Sequence, residues 1–75
     1  MNYSINMAGE NTVAYANTPV DAEYIARALL ALEGYNQDEI EYQKLSQDDA
    51  ETAFHLFAYN AKLGGNGAFV YELKD

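Results

Sequence analysis

Residues 46–63 read SQDDAETAFHLFAYNAKL, and the predicted fold depends on this stretch. Ser46 suits a helix N-cap, because its hydroxyl can accept a hydrogen bond from a free amide in the first turn. Asp49 stands at the capping-box position. Apolar side chains then recur at helical spacing, at Ala50, Ala53, Phe54, Phe57 and Ala61. Gly64 and Gly65 follow, and glycine readily ends a helix. The stretch therefore predicts an amphipathic helix.

The chain before this helix predicts a hairpin and another helix. Residues 2–7 and 12–16 alternate polar and apolar side chains, and they are close enough in the chain to pair as antiparallel strands. Thr18 is a suitable N-cap, Pro19 suits the first helical position, and Gly34 is the expected stop. The expected apolar stripe of this helix consists of Val20, Tyr24, Ile25, Ala28, Leu29 and Leu32.

Two further strands complete the predicted α+β fold. Residues 39–45 alternate, but their glutamate and lysine content favours a sheet edge with one solvated face. Residues 64–67, GGNG, predict a loop, and residues 68–73 predict the last strand. The order β-β-α-β-α-β predicts a two-layer sandwich, a four-stranded mixed sheet with two helices on one face. A ferredoxin-like arrangement is the alternative, and it needs a different pairing of the first strand.

Composition limits the classes of partner. Twelve acidic residues against four basic ones give a net charge of −8, which disfavours direct binding to nucleic acid or to an anionic membrane. The longest apolar run, residues 28–32, is too short to span a bilayer. With no cysteine and no secretory signal, we expect one cytosolic domain over residues 1–75, without a metal or a cofactor.

Half of the acidic residues fall within a short stretch, and they are the main candidates for partner binding. They are Asp38, Glu39, Glu41, Asp48, Asp49 and Glu51, with Tyr35 just before them. Such a patch can meet a groove rich in lysine and arginine on a basic protein. Carboxylates spread over a surface can also imitate a phosphate backbone, as in small phage-type inhibitors of nucleic-acid-binding proteins. That likeness is one of charge, size and composition. The alternative is an ordinary solvated face.

His55 is the single histidine, so a site with several histidine ligands is excluded. On a helix, Glu51, His55 and Tyr59 would share one stripe and could form an acid–base relay. No nucleophile motif accompanies them, and the chain is predicted not to be an enzyme. Two alternatives to a protein-binding module remain open. One is a homodimer formed through the exposed sheet face or the edge strand at 39–45, and the other is a small-ligand site or an enzyme that uses His55.

Overall fold

The computed structural model of the chain describes residues 2–8, 11–44 and 52–73. In this part of the chain, five strands and one α-helix follow one another, with a single 3₁₀ turn at Gln37–Glu39. The helix is α1 (Pro19–Leu32), and the strands are β1 (Tyr3–Met7), β2 (Thr12–Ala16), β3 (Ile40–Lys44), β4 (Phe54–Asn60) and β5 (Gly64–Glu72). All strand pairs are antiparallel, in the order β2-β1-β5-β4-β3.

The predicted four-stranded mixed sheet with two helices is therefore wrong, although the fold is still α+β. The error lies in the stretch that was predicted as the second helix. Its residues 54–60 form β4, which pairs with β3 on one side and with β5 on the other. The first part of that prediction, residues 46–51, lies outside the described residues. The predicted GGNG loop is also wrong, because residues 64–67 form the first half of β5.

The hairpin and the first helix are confirmed. Strands β1 and β2 pair antiparallel, with a register shift between Ile5 and Asn6. Thr18 Oγ1 accepts a hydrogen bond from the Asp21 amide at 3.1 Å and caps α1, and Pro19 takes the first helical position. The predicted edge strand is confirmed as β3, which forms one margin of the sheet. In the part of the chain that the structure describes, no helix has the length and hydropathy needed to span a membrane.

α1 covers one face of the sheet with small side chains. Ala22, Ala26 and Leu30 are buried, four residues apart, and they pack in one cluster with Ile5, Leu56, Val70 and their neighbours. The predicted stripe is wrong for Val20, Tyr24, Ala28 and Leu32, which are exposed, and right for Ile25 and Leu29, which pack against the core. Alanine lets the helix axis approach the sheet closely, because its side chain adds little thickness between the two layers. Three larger apolar side chains of the helix, Val20, Tyr24 and Leu32, are left on its outer side.

A Schellman motif ends α1. The Gly34 amide donates to the Ala31 carbonyl at 3.0 Å, and the Tyr35 amide donates to the Leu30 carbonyl at 3.2 Å. Gly34 has a φ of 104°, a value that residues with a side chain rarely adopt. The buried Tyr35 ring then turns inward, and its hydroxyl donates to the Gly64 carbonyl at 3.1 Å. The end of the helix is thus tied to the start of β5.

Gly34→Ala is expected to lower the free energy of unfolding by about 1–3 kcal/mol, because the methyl group is strained at positive φ. Contact with Leu63, whose Cδ1 lies 3.0 Å from the Cβ position, adds little since that side chain is exposed and can move. Gly34→Asn is the matched control, because asparagine tolerates left-handed backbone and should retain part of the stability. Urea unfolding measures both variants. An alanine variant as stable as the parent chain would contradict the expectation.

Candidate functional site

The sheet has one face that α1 does not cover, and we call it the open face. Side chains alternate along each strand, so those between the buried ones project from this face. In β4 these are His55, Phe57 and Tyr59, and in β5 they are Phe69 and Tyr71. Ser4 of β1 stands opposite Tyr71 on one side and opposite Tyr15 of β2 on the other, so Tyr15 also projects from the open face. These six rings, Tyr15, His55, Phe57, Tyr59, Phe69 and Tyr71, form what we call the aromatic band.

The aromatic band is partly accessible to solvent. Tyr59 is 63% exposed, Tyr15 49% and Phe57 41%, whereas His55, Phe69 and Tyr71 are half-buried. Ser4, between Tyr15 and Tyr71 on β1, is a buried polar residue. Three exposed and three half-buried rings on one sheet face form an aromatic surface, and such a surface is typical of an interaction site.

Two glycines of β5 set the shape of the band. A Cβ at Gly67 would lie 2.7 Å from His55 Nε2, and a Cβ at Gly65 would lie 2.9 Å from Phe57 Cζ. The rings of β4 therefore lie against the bare backbone of β5, an arrangement in which aromatic side chains cover strand glycines. This is a physical reason for glycine inside a strand, where the residue is otherwise unfavourable.

Charge is almost absent from the open face. Among the described strand residues that project from it, Glu41 is the single one with a formal charge at neutral pH. The chain as a whole has twelve acidic and four basic residues, so this face is strongly depleted of charge. Depletion of charge and enrichment in aromatic residues are the composition of the buried centre of protein interfaces.

An acidic margin borders the open face at the β3–β4 edge. Asp38, Glu39 and Glu41 line a shallow groove there together with Phe57 and Tyr59. Glu41 stands directly opposite Phe57 in the register of β3 with β4. The structure thus brings three of the predicted partner-binding acids together beside two rings of the aromatic band. Asp48, Asp49 and Glu51 lie outside the described residues.

Two of the predicted partner-binding residues have structural roles. Glu39 accepts a hydrogen bond from the Asn36 amide at 3.0 Å and another from Asn60 Nδ2 at 2.8 Å, so it joins the start of β3 to the end of β4. Tyr35 is only 5% exposed and offers almost no contact area to a partner. Asp38 and Glu41 are exposed and are the margin residues most available to a ligand.

His55 and Tyr59 are not arranged as a relay. They share the open face, because residues four apart in a strand point the same way, but at strand spacing they are about 13 Å apart along β4. The helical stripe predicted for them is wrong, and Glu51 lies outside the described residues. Among residues 2–8, 11–44 and 52–73, no three histidine or carboxylate side chains are grouped closely enough to hold a metal ion.

The sequence predicted the acidic residues of this site but not its aromatic band. A signal for the band was present, because both FHLFAYN at 54–60 and FVY at 69–71 place aromatic residues at every second position.

Comparison of the chain with models of known protein families, with curated proteins and with solved structures found no match in any of the three.

Proposed function

We propose that the protein is a small binding module that docks its open face on another protein. The partner presents apolar side chains toward the aromatic band and lysine or arginine toward the acidic margin. The observation that carries the proposal is the groove at the β3–β4 edge, where Asp38, Glu39 and Glu41 stand beside Phe57 and Tyr59. Rings give contact area at low entropic cost, and the carboxylates select a cationic partner. The proposal places the module in the cytosol, as the sequence predicts.

Net charge favours a different protein over a second copy of this chain. Two copies would each carry a charge of −8 and would repel each other, whereas a basic partner would be attracted by its opposite charge. The narrower idea of nucleic-acid mimicry needs a row of phosphate-like charges. The described acids are three residues grouped at one edge of the sheet, not a series of evenly spaced charges. The proposal therefore rests on the mixed aromatic and acidic surface.

A designed peptide can test this chemistry before any natural partner is identified. In an extended repeat of Leu-Ser-Lys-Ser, every second side chain points the same way, so leucine and lysine share one face of the strand. We expect this peptide to shift the backbone amide signals of β4 and of Glu41 in an NMR titration. Repeats of Leu-Ser-Glu-Ser and of Ser-Ser-Lys-Ser supply the charge control and the apolar control, and both should bind more weakly.

Variants of the margin test which carboxylates act. Asp38→Asn combined with Glu41→Gln is expected to weaken binding of the leucine–lysine peptide by about fivefold to tenfold, because two exposed charges near the ligand are lost. Glu33→Gln combined with Glu72→Gln removes the same charge from exposed sites off the open face and is the matched control. Glu39 is left intact because of its structural hydrogen bonds.

Three outcomes would contradict the proposal. One is equal weakening by both double variants, which would mean a general effect of net charge. Another is a set of peptide shifts confined to the outer side of α1, around Val20, Tyr24 and Leu32, where exposed apolar side chains also occur. The third is a protein that sediments as a dimer by itself and does not bind the peptide. In that case a second copy of the chain would be the occupant of the open face.

A further inference from the structure

His55 is the titratable side chain nearest the middle of the aromatic band. In the register of the sheet it stands opposite Phe69 on β5 and opposite Gln43 on β3. Its ring stacks on Phe69 with centroids 4.2 Å apart and an interplanar angle of 1°, and its centroid lies 6.1 Å from that of Phe57. The bare backbone at Gly67 gives the ring room to lie flat.

The groups that face His55 are almost all neutral. Gln43 faces it from β3, Phe69 and Gly67 face it from β5, and Phe57 follows it on β4. Glu41, which stands opposite Phe57 on β3, is the charged side chain of the same face, and no ion pair joins it to His55 within 4.0 Å among the described residues. Partial burial already lowers the pKa of His55 below its ordinary value.

We infer that His55 makes docking at the open face dependent on pH, because a partner that covers the aromatic band must either bind the neutral imidazole or bury a charged one. This inference rests on the proposed function and adds a form of regulation to the same surface. A cationic partner strengthens the effect, because its lysine or arginine side chains repel a protonated His55.

The sign of the effect follows from proton linkage. Covering the face removes water from the imidazole and disfavours its charged form, so binding lowers the pKa of His55 further. Affinity is then highest at a pH above the pKa of His55 in the free protein. It falls as the pH drops through that pKa, by up to about tenfold for each pH unit. Lysine stays charged throughout, and side-chain carboxyl groups ordinarily titrate about two pH units lower than histidine, so neither produces this dependence.

The test measures the dissociation constant of the Leu-Ser-Lys-Ser peptide at about pH 7.5 and about pH 5.5 for the parent chain and for His55→Gln. We expect the parent to bind at least about threefold more weakly at the lower pH, and the glutamine variant to change by less than about twofold. An NMR titration of the His55 ring in the parent chain, with and without saturating peptide, gives a readout that needs no variant. The pKa should fall when the peptide is bound.

The outcomes separate this inference from the proposed function. If the peptide binds the open face with the same affinity at both pH values, or if parent and His55→Gln weaken equally, the pH dependence is overturned and the binding function stands. A His55 pKa that is unchanged or raised by bound peptide also overturns it. If the peptide binds at neither pH, the proposed function itself is overturned and this inference falls with it.

Discussion

Leu56→Ala is expected to lower the free energy of unfolding by about 2–5 kcal/mol, as large-to-small changes at fully buried positions do. Leu56 is 0% exposed and lies in β4, opposite Ala68 of β5 and Tyr42 of β3. Its neighbours have little freedom to fill the cavity, because they belong to three paired strands and the helix above them. Small domains have a total stability of about 5–15 kcal/mol, so this single change removes a large part of it.

Phe57→Ala is the matched control, one residue further along the same strand. Phe57 is 41% exposed and projects from the open face, so its truncation should cost about 1–2 kcal/mol, less than the truncation of Leu56. Thermal and urea unfolding followed by circular dichroism measure both variants. The pair also tests β4 itself, since a helix over residues 46–63 places Phe57 in the apolar stripe. A larger loss for Phe57→Ala than for Leu56→Ala would contradict the strand.

The hairpin, α1 and the edge strand could be predicted because their signals are local. Thr18 and Pro19 start the helix and Gly34 ends it through hydrogen bonds that span only a few residues. β3 carries polar and charged side chains, which suit a strand with one neighbour. Such features depend on the chemistry of adjacent residues, so they are visible without knowledge of the rest of the fold.

β4 and the first half of β5 could not be predicted from the same kind of signal, whereas the last strand predicted at 68–73 is confirmed as the second half of β5. Both faces of β4 are apolar, so strict alternation of polar and apolar residues is absent and a helical spacing fits by coincidence. The glycines of β5 are explained by the rings of His55 and Phe57 on the neighbouring strand. The pairing of β1 with β5 joins the two ends of the chain, and no local pattern encodes it.

One part of the candidate site could be predicted from the sequence, and the other part could not. The acids at 38, 39 and 41 are close in sequence, and their clustering was predicted from the sequence alone. The aromatic band needs four strands in the right order, because its rings come from β2, β4 and β5 and β1 lies among them. A helix over residues 46–63 places Phe57 in a buried apolar stripe, so the helical interpretation gives no reason to expect an aromatic surface there.

Leu30→Ala and Leu32→Ala make the sharpest comparison on α1, because the substitution is the same and the sites are two residues apart. Leu30 is 0% exposed and packs among the buried side chains of the sheet, whereas Leu32 is 84% exposed. We expect a loss of about 2–5 kcal/mol for Leu30→Ala and a change within about 0.5 kcal/mol for Leu32→Ala, since alanine also favours the helix. Urea unfolding with a common slope for all variants gives both values.

The comparison decides which side of α1 faces the sheet. The apolar stripe predicted from the sequence includes Val20, Tyr24 and Leu32, whereas the side that the structure buries is marked by Ala22, Ala26 and Leu30. Equal losses at both positions would mean that the outer side is also covered in solution, so that Leu32 is not free of contacts. A larger loss at Leu32 than at Leu30 would mean that the opposite side of α1 packs against the sheet.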